Sequence, residues 1–314
     1  MSARANRVAI VGATSVLGLD LKDRLAAVGY AGDAVELLDL EEHVGLLTEY
    51  GDEARVVLAA ADASLSGFEV VFFCGGRQTV ERFAAPAAAA GTAIDCTGSA
   101  SSEQTLELVD REGSPSATGL LAIPLGATLM LEQLDAVIDL GDATCTVMLP
   151  ASELSDAGTE EMAQQASALL SLGEAPDEVF GRRLAFDAWP DATRPDGAAG
   201  RIRAELEQLG VQSPALHAVR GSIFHGIAAS IYIPHQDADS MAAALGPIAV
   251  IGAETDDKSP VDSPARVAGR DGLHVGELRD DPRGGAWMWL LLDNHRAITS
   301  AALRAIDVRL GRPS

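Results

Sequence analysis

The run Arg7-Val8-Ala9-Ile10-Val11-Gly12-Ala13-Thr14-Ser15-Val16-Leu17-Gly18 decides the fold. Val8 to Val11 is a short, continuous apolar stretch, the pattern of a parallel strand buried on both faces. It stops at Gly12. Apolar residues then resume at helical spacing in Val16, Leu17, Leu21 and Leu25. Strand, glycine turn and helix together are how a dinucleotide-binding unit receives a pyrophosphate. Glycine lets the backbone approach the phosphates, and the helix N-terminus offers free N–H groups and the positive end of its dipole. The turn nominates Gly12, Thr14, Ser15, Val16 and Gly18 as cofactor-binding residues.

The same alternation continues downstream. Val35 to Asp39 reads as a second strand, and Glu69 to Cys74 as a buried strand ending at Gly75-Gly76. Gln78 to Ala90 reads as a helix and Ala93 to Cys96 as the next strand. Repeated strand–helix units imply a parallel sheet with right-handed crossovers, a Rossmann-like α/β domain over 1–122. Beyond Ile123 the pattern changes. Ala143 to Leu149 and Ser222 to Ile233 read as longer strands, and Thr159 to Leu172 and Arg201 to Leu209 as helices. Asp135 to Leu140 fits a strand or a helix end. Glu254 to Gly272, rich in Asp, Pro, Ser and Gly, reads as an exposed loop, as do Ser99 to Ser102 and Gly113 to Gly119. Trp287 to Leu292 is a last strand. This is an α+β domain over 123–292 with an antiparallel or mixed sheet. The chain returns to the first domain over 293–314 through a closing helix, Ile298 to Leu310.

Composition excludes several functions. The chain has 314 residues and a formal net charge of −23, which opposes binding to nucleic acid or an anionic membrane. Hydrophobic residues make up 47% and aromatics only 4%, so the core is globular and aliphatic. Lys22 and Lys258 are the only lysines. Cys74, Cys96 and Cys145 are the only cysteines, an odd count without framework spacing, as in a reducing cytoplasm. Residues 1–6 are too short for a signal peptide, and no run approaches the ~20 apolar residues of a membrane span. The six histidines show no metal-ligand spacing with cysteine, and no metal site is expected.

Several strings, in order and spacing, resemble the aspartate-semialdehyde dehydrogenase family across almost the whole chain. They are Val8 to Gly18, Phe73-Cys74-Gly75-Gly76, Ile94-Asp95-Cys96-Thr97-Gly98, Val275 to Asp281 and Asp293-Asn294-His295-Arg296. Phe180-Gly181-Arg182-Arg183-Leu184-Ala185-Phe186-Asp187 is similar to a string of the family's usg-type paralogue branch, which lacks the catalytic residues. So is the spacing from Ile123-Pro124 to Ser155-Asp156-Ala157-Gly158. The resemblance implies a dimerisation and substrate-type second domain, with the apolar strand Ile223 to Ile233 as the candidate homodimer interface. It adds Gly75, Gly76 and Asn294 to the cofactor-binding residues.

The family's chemistry needs a cysteine thiolate to attack the aldehyde and a histidine to move the proton. By the resemblance the cysteine position is Gly126, and the histidine position, seven residues after Arg220, is Ile227. The family's charged Glu-x-x-Lys region reads Gly197-Ala198-Ala199-Gly200, and an arginine expected after Asp95 gives way to small residues, Ser99 to Ser101. Arg220 is the retained candidate for the substrate carboxylate. Two substitutes are open: Cys96, near the nicotinamide by resemblance, and His225, two residues before Ile227 and so on the same face of one strand. Each has a plain alternative, a small buried thiol and a histidine at a sheet end.

The cofactor end is altered as well. Ser15 stands at the family's middle glycine. At the end of the second strand, Asp39, Leu40, Glu41 and Glu42 replace a serine and an arginine. A carboxylate there suits a ribose diol and repels a 2′-phosphate, so NAD is favoured over NADP if any dinucleotide binds. The acidic pair Glu41-Glu42 is equally a solvated surface. The function these readings support is a catalytically degenerate, cytoplasmic, dimeric binding or assembly protein. The alternative is an NAD-dependent semialdehyde oxidoreductase with altered catalytic residues.

Overall fold

The structure is a computed structural model that describes residues 7–61, 63, 65–99, 107–113, 119–191, 197–254 and 258–310. The short N-terminus 1–6 and the loop positions 100–102, 114–118 and 255–257 lie outside the described residues. Two compact units divide the chain: Met1–Pro124 with Ile298–Ser314, and Leu125–Ala297.

The first unit holds β1 (Val8–Val11), α1 (Val16–Ala27), β2 (Val35–Asp39), β3 (Leu47–Tyr50), β4 (Glu53–Val56), β5 (Leu58–Ala59) and β6 (Val70–Phe73). It continues with α2 (Arg77–Ala90), β7 (Thr92–Asp95), β8 (Glu107–Leu108) and β9 (Gly119–Ala122). Seven strands form one sheet in the order β5-β2-β1-β6-β7-β9-β8, every pair parallel. The apolar runs are continuous because both faces of such a sheet are covered; β1 and β6 are buried at every residue. Ala9, Val11, Val71 and Phe73 pack with Val80, Ala84 and Ala87 of α2. On α1, Leu17, Leu21 and Leu25 are buried, while Val16, expected on the same apolar stripe, is half exposed. The antiparallel hairpin β3–β4 has no counterpart in the sequence reading.

The second unit holds α3 (Gly126–Asp135), β10 (Thr144–Leu149), α4 (Ser155–Leu170), β11 (Ala188–Pro190), α5 (Ala198–Gln208), β12 (Ala215–Gly221) and β13 (Ile227–Ile233). It continues with α6 (Ala238–Leu245), β14 (Ala249–Ile251), α7 (Pro264–Val267), β15 (Leu273–Asp280) and β16 (Ala286–Leu292). Its sheet is mixed, in the order β11-β12-β10-β13-β16-β15-β14, with parallel pairs β10/β12 and β14/β15 and antiparallel pairs elsewhere. The last helix, α8 (Asn294–Leu310), begins in this unit and runs into the first, where Arg24 and Asp20 of α1 bond to Ser300 and Thr299.

One face of the mixed sheet is closed: Val147, Leu149, Ala229, Ile231, Met288 and Leu290 are buried. The alternate residues Thr146, Ser230, Tyr232, Trp287 and Trp289 form a half-buried face, with Tyr232 and Trp287 ring centroids 5.1 Å apart.

Two readings of this half are corrected. Ser222 to Ile233 is not one strand. Gly226 has φ +86°, a conformation that bends the chain, and β13 starts only at Ile227. A side chain at Gly226 would also meet the Pro264 carbonyl oxygen at 2.8 Å. Nor is Glu254 to Gly272 wholly exposed: Val261 and Val267 pack on Ala228 and Leu291. Among the described residues no helix is long and apolar enough to cross a membrane.

Candidate functional site

In the first unit, the turn after β1 is built by glycines in backbone contact. A Cβ on Gly12, at φ +86°, would lie 2.1 Å from Gly75 N. One on Gly18 would lie 2.2 Å from Gly12 O. Gly76, at φ +85°, opens α2. Ser15 caps α1, its Oγ accepting from Gly18 N at 3.0 Å and lying 2.8 Å from Gly12 O and 2.9 Å from Cys74 O. The hydroxyl at this position therefore ties the turn to the next strand end.

The donors of the turn are largely used internally. Gly12 N and Ala13 N donate to Leu38 O, and Ser15 N to Gly12 O. Thr14 donates twice to Asp39 Oδ2, from N at 3.1 Å and from Oγ1 at 2.7 Å. The other Asp39 oxygen accepts from Leu40 N at 2.8 Å, and the residue is buried. Of the exposed carboxylates Glu41 and Glu42 past β2, Glu41 grips Arg82 of α2 through two bonds of 2.7 and 3.0 Å. The Arg82 hydrogen bonds hold the Glu41 carboxyl down at about 2. Arg82 had no signal in the sequence, since 41 positions separate the partners.

In the second unit, Gly126 begins α3 and Ile227 begins β13. They are neighbours. A Cβ on Gly126 would stand 2.8 Å from Ile227 Cδ1, 3.1 Å from Asn294 Cβ and 3.4 Å from Asn294 Cα. The N-terminus of α3 already has an acceptor: Glu205 Oε2 takes Leu125 N at 2.9 Å and Thr128 Oγ1 at 2.5 Å. Burial pushes the Glu205 carboxyl up, against the opposing pull of Arg201 and these bonds.

Arg220 is buried and spent on internal partners. It bonds Asp191 Oδ2 at 2.9 and 3.1 Å, Glu153 Oε2 at 3.0 Å and Pro150 O at 3.2 Å. Burial raises the Glu153 carboxyl despite the arginine beside it. The expected role of Arg220 toward a substrate carboxylate meets two carboxylates already in place.

His225 stands before β13, not on it, so the same-face argument fails. Its surroundings are nonetheless polar. Its Nε2 lies 2.8 Å from Asp293 Oδ1 and its Nδ1 3.2 Å from Ser152 Oγ. Asn294 joins the cluster: Nδ2 donates to Ser152 Oγ at 3.1 Å and Oδ1 accepts from Gly226 N at 3.0 Å. Asp293 also accepts Gly269 N at 2.6 Å and Arg296 N at 3.0 Å, the latter capping α8. Burial alone would raise the Asp293 carboxyl; the His225 contact and the two N–H groups outweigh it and hold it at about 2. The buried ring of His295, centred 4.5 Å from that of His225, is pushed down to about 4 by desolvation. Asp293 was legible as a helix cap before Asn294; Ser152 carried no signal.

All three cysteines are buried and unpaired by disulfide. The thiol of Cys96 is raised well above its ordinary range by Cys74 beside it and by burial. Burial raises Cys145 to about 12. Among the described residues no group of three or more His, Cys, Asp or Glu is placed to hold a metal ion.

No family model matches the chain. The aspartate-semialdehyde dehydrogenase of Aquifex aeolicus is 27% identical, and that of Rickettsia bellii 22%, each alignment covering 96% of both chains. The chain is thus similar to aspartate-semialdehyde dehydrogenases, at low identity over nearly its full length. Solved members share the fold. The Vibrio cholerae enzyme II, complexed with ASA, superposes with a TM-score of 0.78 at 23% identity, covering 98% of this chain and 97% of that one. A probable Pseudomonas aeruginosa member gives 0.79 at 23%, covering 96% and 98%. A Candida albicans member solved with NADP gives 0.63 at 13%, covering 97% and 98%. The shared Rossmann-like fold is thus the frame for the site.

Proposed function

We propose that this chain is a catalytically silent family member, a cytoplasmic homodimer that works through binding or assembly. The observation that carries this reading is the contact between Gly126 and Ile227. The resemblance puts the thiol at the first position and the proton-moving histidine at the second. Both are changed, and Ile227 Cδ1 sits 2.8 Å from where a Cβ on Gly126 would start. The apolar side chain takes the room the thiol would need.

Three further observations agree. Buried thiols with raised pKa values are poor nucleophiles, because the thiolate is the attacking form. Glu205 accepts from Leu125 N–H and the Thr128 hydroxyl, which sets a carboxyl group at the end of α3 whose dipole would otherwise favour a thiolate. Arg220 is neutralised by Glu153 and Asp191.

The cofactor reading is weak binding of NAD in preference to NADP. The glycine backbone fits a dinucleotide turn, and Gly75, Gly76 and Asn294 belong to the same reading. The inward bonds of Gly12, Ala13, Thr14 and Ser15 leave few donors for a pyrophosphate. Glu41 occupies Arg82, the cation beyond β2 that would otherwise attract a 2′-phosphate. A bound nicotinamide would supply hydride chemistry; the residues named here would only hold it. For the dimer, the half-buried sheet face with Tyr232, Trp287 and Trp289 is the surface we assign to a second copy. The apolar members of Ile223 to Ile233 that face inward are already covered within the chain.

The test is purified full-length protein with NAD or NADP and a panel of semialdehydes, with dinucleotide affinity measured by calorimetry and mass by light scattering. No turnover, dimer mass and weaker NADP than NAD binding are expected. Turnover that disappears in Cys96→Ala overturns the silent reading.

A further inference from the structure

The cluster around Ser152 has a direction. Gly226 N fixes the Asn294 amide by donating to Oδ1, so Nδ2 donates to Ser152 Oγ. The serine hydroxyl has two acceptors in reach, His225 Nδ1 at 3.2 Å and Asn294 Oδ1 at 3.4 Å, and the histidine is the nearer. The carboxylate of Asp293 takes the Nε2 proton at 2.8 Å, which leaves Nδ1 of the neutral ring as an acceptor. Two backbone bonds, Ala151 N to Ile223 O and Ser152 N to Phe224 O, lash the serine opposite His225. Asp293 is fixed in turn by Gly269 N and Arg296 N.

From this we infer that Ser152 is an activated nucleophile with His225 as its base and Asp293 as the positioning residue, a site for short-chain carboxylic esters or thioesters in a chain that is silent only as a semialdehyde dehydrogenase. The roles follow the serine–histidine–carboxylate logic, with the ring turned so that Nε2 faces the carboxylate. Asn294 Nδ2, 3.1 Å from Oγ, is the donor beside the place where an oxyanion would form.

The chemistry is redox-neutral. Oγ adds to the acyl carbon, its proton passes to Nδ1, and the alcohol or thiol leaves with that proton. Water then gives a proton to Nδ1, its oxygen adds to the acyl carbon, and Oγ leaves and takes the proton back. The product is a carboxylic acid. Ser152 is only 5% exposed, which restricts the acyl group to a small one; the His225 side chain is 24% exposed.

The experiment is labelling of the full chain by a fluorophosphonate, read by peptide mass spectrometry, with circular dichroism for each variant. One equivalent at Ser152 is expected, none in Ser152→Ala, and a rate about 100-fold lower or more in His225→Gln and Asp293→Asn. The same variants should lose hydrolysis of p-nitrophenyl acetate. Should Asp293→Asn fail to fold, the partly exposed His225→Gln carries the comparison. No label at Ser152 in the folded wild type, or an unchanged rate in His225→Gln, overturns the proposal. The probe needs no nucleotide and no semialdehyde, so the result is independent of the silent-dehydrogenase reading.

Discussion

Gly12 and Gly126 both stand where a side chain has no room, and for opposite reasons. At Gly12 the obstacle is backbone: Gly75 N at 2.1 Å, with φ +86° as a second bar. At Gly126 the nearest obstacle is a methyl at the end of a side chain, Ile227 Cδ1 at 2.8 Å, and the backbone is helical. The first glycine is required by the architecture of the turn. The second is hemmed in chiefly by the residue opposite it, with Asn294 Cβ next at 3.1 Å. Packing by a flexible neighbour can therefore close a glycine position that the backbone itself would leave open.

The largest effect should come from Gly12→Ala. Positive φ and a backbone clash together should cost about 3 kcal/mol or more, with no side-chain change able to rescue it. Urea unfolding measures this, and a stable Gly12→Ala protein would break the distinction.

The next effect concerns acid. His295 is neutral in the fold, at about 4, against an ordinary value of 6.5. Above pH 6.5 both states are neutral and the stability is complete. As pH falls from 6.5 to 4 the unfolded chain takes the proton first, so about 3 kcal/mol is lost. Asp293, held at about 2, loses its share below that, as pH falls from its ordinary 3.8. Glu153 and Glu205, raised by burial, act in the opposite sense, so the quantity to measure is the difference between wild type and His295→Gln. The variant should flatten the 6.5-to-4 loss. Parallel pH curves would remove His295 from the account.

The smallest effect sharpens the comparison most. Gly126→Ala should destabilise by about 1 kcal/mol, since the better helix propensity of alanine offsets part of the clash. Ile227→Val deletes Cδ1. In that background Gly126→Ala should be neutral or stabilising, a coupling of about 1 kcal/mol in a double-mutant cycle. Additive effects would mean that Ile227 is not what crowds a side chain at Gly126.

The parts legible in the sequence are local. The strand Val8–Val11, the turn at Gly12 and the helix over Leu17, Leu21 and Leu25 are written in consecutive residues, so pattern alone recovers them. The same holds for Val35–Asp39 and Thr144–Leu149. The start of β13 was not legible, because a single glycine dihedral decides whether His225 continues the strand. The partners of Arg220 lie 29 and 67 positions away, and no local signal announces that they neutralise it.

By itself, the sequence determined two sheets of different kind, for which hydrophobic period suffices; that Gly126 and Ile227 stand at thiol and histidine positions came only from the resemblance. Tertiary structure decided which partners these residues have: Ile227 against Gly126, Glu205 at the start of α3, two carboxylates on Arg220, and Ser152 between His225 and Asn294. The physical reason is that hydrogen-bond direction and side-chain contact depend on distances set only when remote segments are packed together.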